Sequence, residues 1–472
     1  MNDAIHQLSV RQMSEQLRAG ILSSRAILEH YLARIDRINT TLNAIVTLDI
    51  DGARAAADAA DTRLKAGTPL GLLDGIPVAI KDNILVKGLR AVWGTRWLEH
   101  HIAPHDELPV TLLRDAGCVL LGKTNVPEFT MRGFTGNPVF GATGNPWNPE
   151  LTPGGSSGGS VAAVAAGLVP LSLGTDGGGS IRRPAGYTGL VGLKPTLGRI
   201  PRADGLPQVL YDCEVVGPIA RTVDDARLMM SVLGRPHRRD ARSRGFASMS
   251  ADHIGASPSP LRILFVEEFG NAPVDAQIRA SCRAAADAFA ALGHTVTTGS
   301  MPFDLAPLNA QWAALGNVGL SLLALRDPRF YDLASPAFAD EARAGADLSG
   351  AQYLDVLETL FAFRAQVGQA FSDVDVIMTP TSAANPWPKA ESFPPLIDGK
   401  AAGPRGHAVF TNWVNASGHP GLALPAAPTR DGMPVGFQLV GDFGADSLLL
   451  DLGAQYEAAH PWSSRWPAIA ND

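Results

Sequence analysis

The longest uncharged stretch of the chain, residues 151–175, is the feature that most constrains its fold. Its length would suffice to cross a lipid bilayer, but Gly, Ser and Pro interrupt it throughout, so we reject a membrane span. Residues 154–159 instead predict a loop, residues 160–166 a helix of small residues, and residues 169–173 a buried strand. A second glycine-rich loop follows at residues 174–180. The stretch therefore predicts two glycine-rich loops separated by a helix and a strand.

Strand and helix patterns alternate on both sides of this stretch. Apolar runs at residues 76–80 and 118–121 predict strands before it. After it, residues 262–266 and 294–298 predict strands, and residues 274–292 between them predict a helix. Alternation of this kind is typical of parallel strands whose sheet is covered on both faces. We therefore predict an α/β fold with a large, mixed, mostly parallel central sheet covered on both faces by helices.

Composition excludes several classes of protein. The net charge of −7, from 39 Lys and Arg against 46 Asp and Glu, gives no basic surface for a nucleic acid, so we expect no nucleic-acid partner. Cys118, Cys213 and Cys282 are too few and too widely spaced for a disulfide scaffold. Residues 1–10 lack the pattern of a secretory leader. We expect a cytoplasmic protein without a membrane association.

Three short patterns imitate known sites. Residues 117–124 match the GxxxxGK[ST] pattern of phosphate-binding loops, but the inner residues are apolar and predict a strand. Residues 154–158 match GxSxG, yet no downstream His has the context that this hydrolase motif needs. His101 and His105 are four residues apart, but Pro104 breaks any helix that would align them. We therefore expect neither a nucleotide nor a metal.

Three ordered motifs carry the strongest signal. They are GIPVAIKDN at residues 75–83, TPGGSSGGS at residues 152–160 and GTDGGGSIRRP at residues 174–184. At these residues the chain resembles the amidase signature family. The resemblance continues at residues 189–196, 216–222 and 432–441.

The resemblance also bears on domain organisation. No break in composition divides the chain, and we expect a single domain over residues 1–472 with the amidase signature fold. The core would lie at about residues 70–225 and 404–460. The region at about residues 235–403 would be variable and would shape the substrate side.

Lys81 is the candidate base. A serine hydroxyl is a weak nucleophile until a base takes its proton, and no His of this chain suits that task. Lys81 ends an apolar strand pattern, where loss of solvent favours the neutral amine and lowers its pKa. The competing interpretation is a structural ion pair with Asp82. Because two serine-rich loops follow in the chain, we favour the role of base over the ion pair.

The resemblance supplies the remaining roles. It implies that Ser180 is the nucleophile, that Ser156 bridges it to Lys81, and that the Gly155–Ser156 peptide bond is cis. Consecutive glycines let several backbone N–H groups point at one spot, which suits an oxyanion hole. We predict that this hole consists of the backbone amides of Gly177, Gly178, Gly179 and Ser180.

Further residues are assigned to support and to substrate binding. We expect Asp176 and Arg182 to form a structural pair, and Ser157 and Thr152 to make hydrogen bonds within the serine loop. Candidate pocket residues are Phe134, Arg183, Trp312 and Tyr353. Arg183 is open to two interpretations, a contact with a polar or anionic substrate group or a surface ion pair.

The predicted function is hydrolysis of the C–N bond of small-molecule amides through an acyl-enzyme on Ser180, without metal or organic cofactor. A carbamate (urethane) or aryl-anilide hydrolase with the same triad is one alternative. The amidase subunit of a tRNA-dependent amidotransferase is another. Arg183 and the Tyr187-Thr188 pair differ from what is common in relatives and favour a stand-alone hydrolase. We expect a small-molecule amide or carbamate substrate and a monomer or homodimer.

Overall fold

The computed structural model describes residues 5–251 and 259–471. The strands in these residues are β1 (Ile45–Leu48), β2 (Pro77–Lys81), β3 (Val119–Thr124), β4 (Gly136–Asn137), β5 (Gly141–Ala142), β6 (Leu171–Asp176), β7 (Val191–Lys194), β8 (Val215–Ala220), β9 (Arg262–Phe265), β10 (Thr295–Thr298), β11 (Val376–Pro380), β12 (Leu396–Ile397), β13 (Lys400–Ala401), β14 (Gly421–Pro425) and β15 (Gly436–Gly441).

The α-helices of the same residues are α1 (Val10–Arg18), α2 (Ser24–Leu42), α3 (Ile50–Lys65), α4 (Leu108–Asp115), α5 (Gly158–Ala165), α6 (Arg182–Thr188), α7 (Val223–Leu233), α8 (Ala276–Ala291), α9 (Ala306–Arg326), α10 (Phe330–Leu333), α11 (Pro336–Ala346), α12 (Gly350–Ala370), α13 (Asn412–Ser417) and α14 (Asp446–Ala459). Across residues 5–251 and 259–471, none of them combines the length and apolar character that a membrane crossing requires.

Eleven of these strands form one sheet in the order β1-β3-β2-β6-β8-β7-β14-β15-β11-β9-β10. Parallel pairs occur in two groups, β3-β2-β6 and β11-β9-β10. The pairs between β6 and β11 are antiparallel, as is the pair of β1 with β3. The large mixed sheet confirms the predicted α/β fold. Its antiparallel middle consists largely of strands that the sequence patterns did not single out.

The central strands are buried along their whole length. Every residue of β2, β3, β6, β7, β8, β11, β14 and β15 is buried. Because successive side chains of a strand point to opposite faces, both faces of the sheet must be covered. Helix α5 packs on β2 and β6, α8 on β10 and β11, and α14 on β14 and β15. A second apolar cluster joins α9, α12 and α13 beside the sheet.

Several local predictions hold in the structure. The uncharged stretch folds into the loop before α5, the helix itself and strand β6, as expected. The sequence Gly122-Lys123-Thr124 is part of β3, so the segment that imitates a phosphate loop is a strand. The motif at residues 75–83 supplies β2 and ends in a turn. These elements bring the ends of β2 and β6 to one edge of the sheet.

Candidate active site

The three predicted reactive side chains come from three adjacent elements. Lys81 is the last residue of β2, Ser156 lies in the loop before α5, and Ser180 lies in the turn between β6 and α6. Strands β2 and β6 are parallel neighbours, so their carboxyl ends meet at the same edge of the sheet. Lys81 is fully buried and Ser180 is 7% exposed. The edge thus gathers these groups where little water reaches them.

Lys81 is held by hydrogen bonds rather than by a carboxylate. Its Nζ lies 2.7 Å from Ser156 Oγ, 2.8 Å from Thr175 Oγ1 and 3.1 Å from Thr175 O. Burial lowers the pKa of Lys81 from its ordinary value of 10.5 to about 7, because desolvation penalises the charged amine. A substantial neutral fraction at neutral pH follows.

Asp82 does not fulfil the alternative role of ion-pair partner for Lys81. Its carboxylate accepts a hydrogen bond of 2.7 Å from the Trp93 N–H, and its other oxygen lies 3.9 Å from Lys123 Nζ. Within the described residues, no ion pair of Asp82 with Lys81 is seen. The neighbouring acid faces a different lysine, because consecutive residues at a strand end point to opposite sides.

The peptide bond between Gly155 and Ser156 is cis, as the resemblance implied. Gly155 packs tightly here, since a Cβ on it would lie 2.4 Å from the carbonyl oxygen of Phe134. Only glycine fits at this position. Phe134, a predicted pocket residue, is therefore placed against the serine loop through its backbone.

The serine loop and the nucleophile loop are in direct contact. The Ser157 N–H donates to the carbonyl oxygen of Ser180 at 3.1 Å, and Ser157 Oγ donates to the Thr175 carbonyl at 3.1 Å. Thr152 Oγ1 accepts a hydrogen bond from the Gly154 N–H at 3.1 Å. The predicted hydrogen bond of Thr152 within its own loop is thus present, but Ser157 bonds to the nucleophile loop rather than within the serine loop.

The predicted oxyanion hole needs one correction. The Gly179 N–H donates to Asp176 Oδ1 at 2.7 Å and is not free. In the described part of the chain, the N–H groups of Gly177, Gly178 and Ser180 have no protein acceptor. A Cβ on Gly178 would meet nothing within 4 Å, so open space lies beside it. Three amides rather than four are available to an oxyanion.

Asp176 and Arg182 form the expected structural pair at the base of this loop. Arg182 Nε and Nη2 each lie 3.0 Å from a carboxylate oxygen of Asp176, and both side chains are fully buried. Burial alone would raise the pKa of Asp176, but the Arg182 guanidinium and the Asn415 amide hold it well below its usual range. Arg182 also donates to Gln438 Oε1 at 2.8 Å. The ionised carboxylate fixes the loop by accepting its amides.

The surface ion pair expected for Arg183 is wrong, while its contact with a substrate group stays a prediction. It is 5% exposed, so it is not part of a surface ion pair. Its Nη1 donates to the Gly178 carbonyl and to Thr411 Oγ1, and its Nη2 lies 3.4 Å from the Gly155 carbonyl. Its two terminal nitrogens thus contact the protein's own loops, whereas its buried Nε has no hydrogen-bond partner among the described residues.

The other two predicted pocket residues lie together in the second apolar cluster, beside the sheet. Trp312 is buried in the cluster of α9, α12 and α13, and the Arg405 guanidinium lies 5.9 Å from its ring. Tyr353 packs at the margin of the same cluster. Within residues 5–251 and 259–471, neither side chain makes a hydrogen bond to Lys81 or to the serines. Their assignment to the pocket stays a prediction.

Several residues at the site escaped the sequence analysis. Thr175 contacts Lys81, Thr411 contacts Arg183, and Asn415 contacts the pair of Asp176 and Arg182. Thr175 lies inside a recognised motif, which could have flagged it. Thr411 and Asn415 lie more than 200 residues from their partners, and nothing in their local sequence points to the site.

Among the residues that the structure describes, no group of three or more His, Cys, Asp or Glu side chains is placed to hold an ion. The polar groups around Lys81 are hydroxyls and backbone carbonyls.

Comparison with known proteins gives a consistent result. The family model described as Amidase matches residues 26–450. One of the subunits of glutamyl-tRNA(Gln) amidotransferase from Synechococcus sp. (strain CC9311) is 35% identical, over 98% of this chain and 99% of that protein. The corresponding protein of Halorhodospira halophila is 34% identical over 98% and 99%.

Solved structures give the same fold. A bacterial aryl acylamidase of the amidase signature enzymes superposes with a TM-score of 0.91 at 30% identity, covering 99% of both chains. A 6-aminohexanoate cyclic dimer hydrolase superposes with a TM-score of 0.88 at 28% identity, covering 98% of this chain and 99% of that one.

The curated relatives overturn one expectation. We expected no nucleic-acid partner, because the chain carries a net negative charge, and a small-molecule substrate, because the resemblance implies an amidase. Full-length relatives are named as subunits of an amidotransferase of glutamyl-tRNA(Gln). A charge summed over a whole chain does not describe a local surface, nor a surface that another protein of a complex contributes, so the exclusion was wrong.

The family assignment follows from the model match, the full-length relatives and the superposed structures together. The chain belongs to the amidase signature family, whose enzymes include hydrolases of C–N bonds.

Proposed function

We propose that the chain cleaves a carboxamide by acyl transfer to Ser180, with Lys81 as the base acting through Ser156. The observation that carries the proposal is the 2.7 Å contact of Lys81 Nζ with Ser156 Oγ. A lysine with a pKa of about 7 can accept and return a proton near neutral pH, which suits general acid–base catalysis. Its full burial keeps water from competing for that proton.

The acylation step follows from this arrangement. Neutral Lys81 takes the proton of Ser156, Ser156 takes the proton of Ser180, and Ser180 Oγ bonds to the carbonyl carbon. The π electrons of the carbonyl move to its oxygen. Developing charge on this oxygen is stabilised by amides already in place, and the free N–H groups of Gly177, Gly178 and Ser180 supply them.

Collapse of the intermediate completes the transfer. The oxyanion reforms the carbonyl, the C–N bond breaks, and the nitrogen receives a proton from charged Lys81 through Ser156. The nitrogen leaves as ammonia or an amine, and the acyl group stays on Ser180. Water then attacks the ester with Lys81 again as base, releasing the acid and restoring Ser180.

One setting for this reaction is the amidase subunit of a tRNA-dependent amidotransferase. It is supported by the relatives of that name, which align over 98% of this chain and 99% of their own length. In this setting the nitrogen released at Ser180 passes to an aminoacyl-tRNA, and partner chains carry out the transfer. This was our second alternative, and the curated relatives support it more than the main interpretation.

A second setting is hydrolysis by this chain alone. It is supported by the superposition on an aryl acylamidase and on a cyclic-dimer hydrolase, both over nearly their full length. The chemistry at Ser180 is the same in both settings. They differ in where the nitrogen goes and in whether other chains are needed.

The proposed chemistry is tested by labelling with a fluorophosphonate probe, read by mass spectrometry. We expect the wild-type chain to gain one adduct at Ser180 and Ser180→Ala to gain none. Ser231→Ala, on α7 away from the site, is the control and should label like the wild type. Full labelling or full amidase activity of Ser180→Ala would refute the proposal.

The two settings, amidotransferase subunit and stand-alone hydrolase, are distinguished by whether release of ammonia requires partner chains. The purified chain is assayed for released ammonia or amine with glutamine, primary amides, anilides and urethanes. The assay is repeated with glutamine in the presence of amidotransferase partner chains and charged glutamyl-tRNA. Turnover by the chain alone supports the hydrolase. Turnover only in the complete mixture supports the amidotransferase.

A further inference from the structure

Arg183 is a buried cation without an acidic partner. Its neighbour Arg182 is paired with Asp176, but no carboxylate among the described residues lies within ion-pair distance of Arg183. Burying an unpaired charge is costly. Hydrogen bonds must therefore offset part of that cost. The groups that accept these hydrogen bonds are the groups that Arg183 can position.

The hydrogen bonds of Arg183 reach both loops of the site. Nη1 donates to the Gly178 carbonyl and, at 2.8 Å, to Thr411 Oγ1. Thr411 Oγ1 in turn donates to the same Gly178 carbonyl at 2.8 Å. Nη2 lies 3.4 Å from the carbonyl of Gly155, which belongs to the peptide bond of Ser156. One side chain thus connects the peptide before Ser156 to the nucleophile loop.

The peptide between Gly178 and Gly179 is anchored at both ends by this arrangement. Its carbonyl is held by Arg183 and Thr411, and its N–H donates to Asp176 at 2.7 Å. A peptide between two glycines meets little steric resistance to rotation. Because the carbonyl and the N–H of a trans peptide point in opposite directions, rotation would turn the Gly178 carbonyl toward the Asp176 carboxylate and would displace the flanking N–H groups of Gly178 and Ser180.

We propose that Arg183 is a positioning residue that locks the Gly178–Gly179 peptide in the orientation needed for oxyanion binding and places a positive charge beside it. The proposal rests on the proposed roles of Ser180 and Ser156. Thr411 holds the same peptide through an uncharged hydroxyl, which donates to the Gly178 carbonyl.

The charge has a second consequence, at Lys81. Burial is the main cause of its lowered pKa; Glu214 and Asp176 raise this pKa, while Arg202 and Arg183 lower it. Removing the charge of Arg183 therefore raises the pKa of Lys81 and leaves less neutral amine at pH 7. The acid limb of the rate profile then moves to higher pH.

The test compares Arg183→Gln, which removes the charge, with Arg183→Lys, which keeps the charge but loses the planar fork. Fluorophosphonate labelling rates are measured from pH 5.5 to 9. We expect both variants to label at least about tenfold more slowly at pH 7, and only Arg183→Gln to shift the acid limb upward. Arg343→Gln, at an exposed ion pair on α11, is the control.

A third variant, Thr411→Val, tests the proposal even if an Arg183 variant does not fold. It removes one anchor of the Gly178 carbonyl without changing charge, so we expect slower labelling and an unmoved acid limb. Labelling within about twofold of wild type in every variant that folds, with no shift, would overturn the proposal. If the wild-type chain itself does not label at Ser180, the proposed function fails instead.

A substrate-binding role for Arg183 gives a different result. Succinamate and butyramide are compared, since they differ by one carboxylate against one methyl group. A lock predicts a lower kcat for both amides with KM little changed. A raised KM for succinamate alone, with normal butyramide turnover, would show that Arg183 binds an anionic group and would overturn the lock.

Discussion

Replacing Lys81 with methionine should stabilise the folded chain at neutral pH while removing its activity. The unfolded chain binds the Lys81 proton below pH 10.5, but the folded chain binds it only below about pH 7. The folded pKa is depressed, so the unfolded state binds more protons between these values and folding stability falls as the pH falls. The loss is complete below about pH 7.

The size of the effect follows from the two pKa values. At about 1.36 kcal/mol per pH unit, the penalty on the folded state is about 4 kcal/mol at pH 7 and about 2 kcal/mol at pH 9. Lys81→Met removes this penalty but also loses the hydrogen bonds to Ser156 and Thr175, worth about 1–3 kcal/mol. We expect a net gain of about 1–3 kcal/mol at pH 7 and a net effect between a gain and a loss of about 1 kcal/mol at pH 9.

The assay is urea unfolding of wild type and Lys81→Met from pH 6 to pH 9.5, with fluorophosphonate labelling alongside. The exposed Lys65→Met is the control and should show no pH-dependent difference. A variant that is less stable than wild type by the same amount at every pH would mean that Lys81 is charged in the folded chain. The proposed base would then be refuted.

Two further substitutions test the nucleophile loop. Asp176→Asn leaves the buried Arg182 without its counter-charge and should lower the free energy of unfolding by about 3–5 kcal/mol in urea; unchanged stability would contradict the pairing. Gly179→Ala places a Cβ 2.2 Å from Thr411 Oγ1 at a φ of +105°, so we expect labelling of the chain to slow by about a hundredfold. Gly245→Ala, where a Cβ meets nothing, is the control, and equal labelling of both variants would contradict the packing.

The proximity of Lys81, Ser156 and Ser180 was predictable, because each lies in a short segment with a distinctive composition. Lys81 follows an apolar run. The two serines lie among glycines, and so many glycines indicate a tightly packed backbone. The strands β2, β3 and β6 were equally visible, since strands buried on both faces are continuous apolar runs.

Other features depend on chain segments that meet only in three dimensions. The antiparallel strands β7, β8 and β14 contain Gly or Pro, residues that weaken a strand pattern, so their apolar residues did not predict strands. The engagement of Gly179 by Asp176 and the burial of Arg183 depend on Thr411 and Asn415, which come from a distant segment. The run of glycines predicts backbone N–H groups without acceptors. Which of these N–H groups donates to the Asp176 carboxylate depends on the three-dimensional fold.

The contacts of Arg182 also determine when, during synthesis of the chain, the loop around Ser180 can be completed. Its partners Asn415 and Gln438 lie 233 and 256 residues further along the chain. A growing chain on the ribosome has therefore made its nucleophile long before it has made the groups that shape the loop around it. Domains are synthesised from the amino terminus at about 5–20 residues per second, so this interval lasts on the order of 10 s or more. During that time Arg182 lacks the two side chains that hold it in the finished protein, so the loop around Ser180 is incomplete.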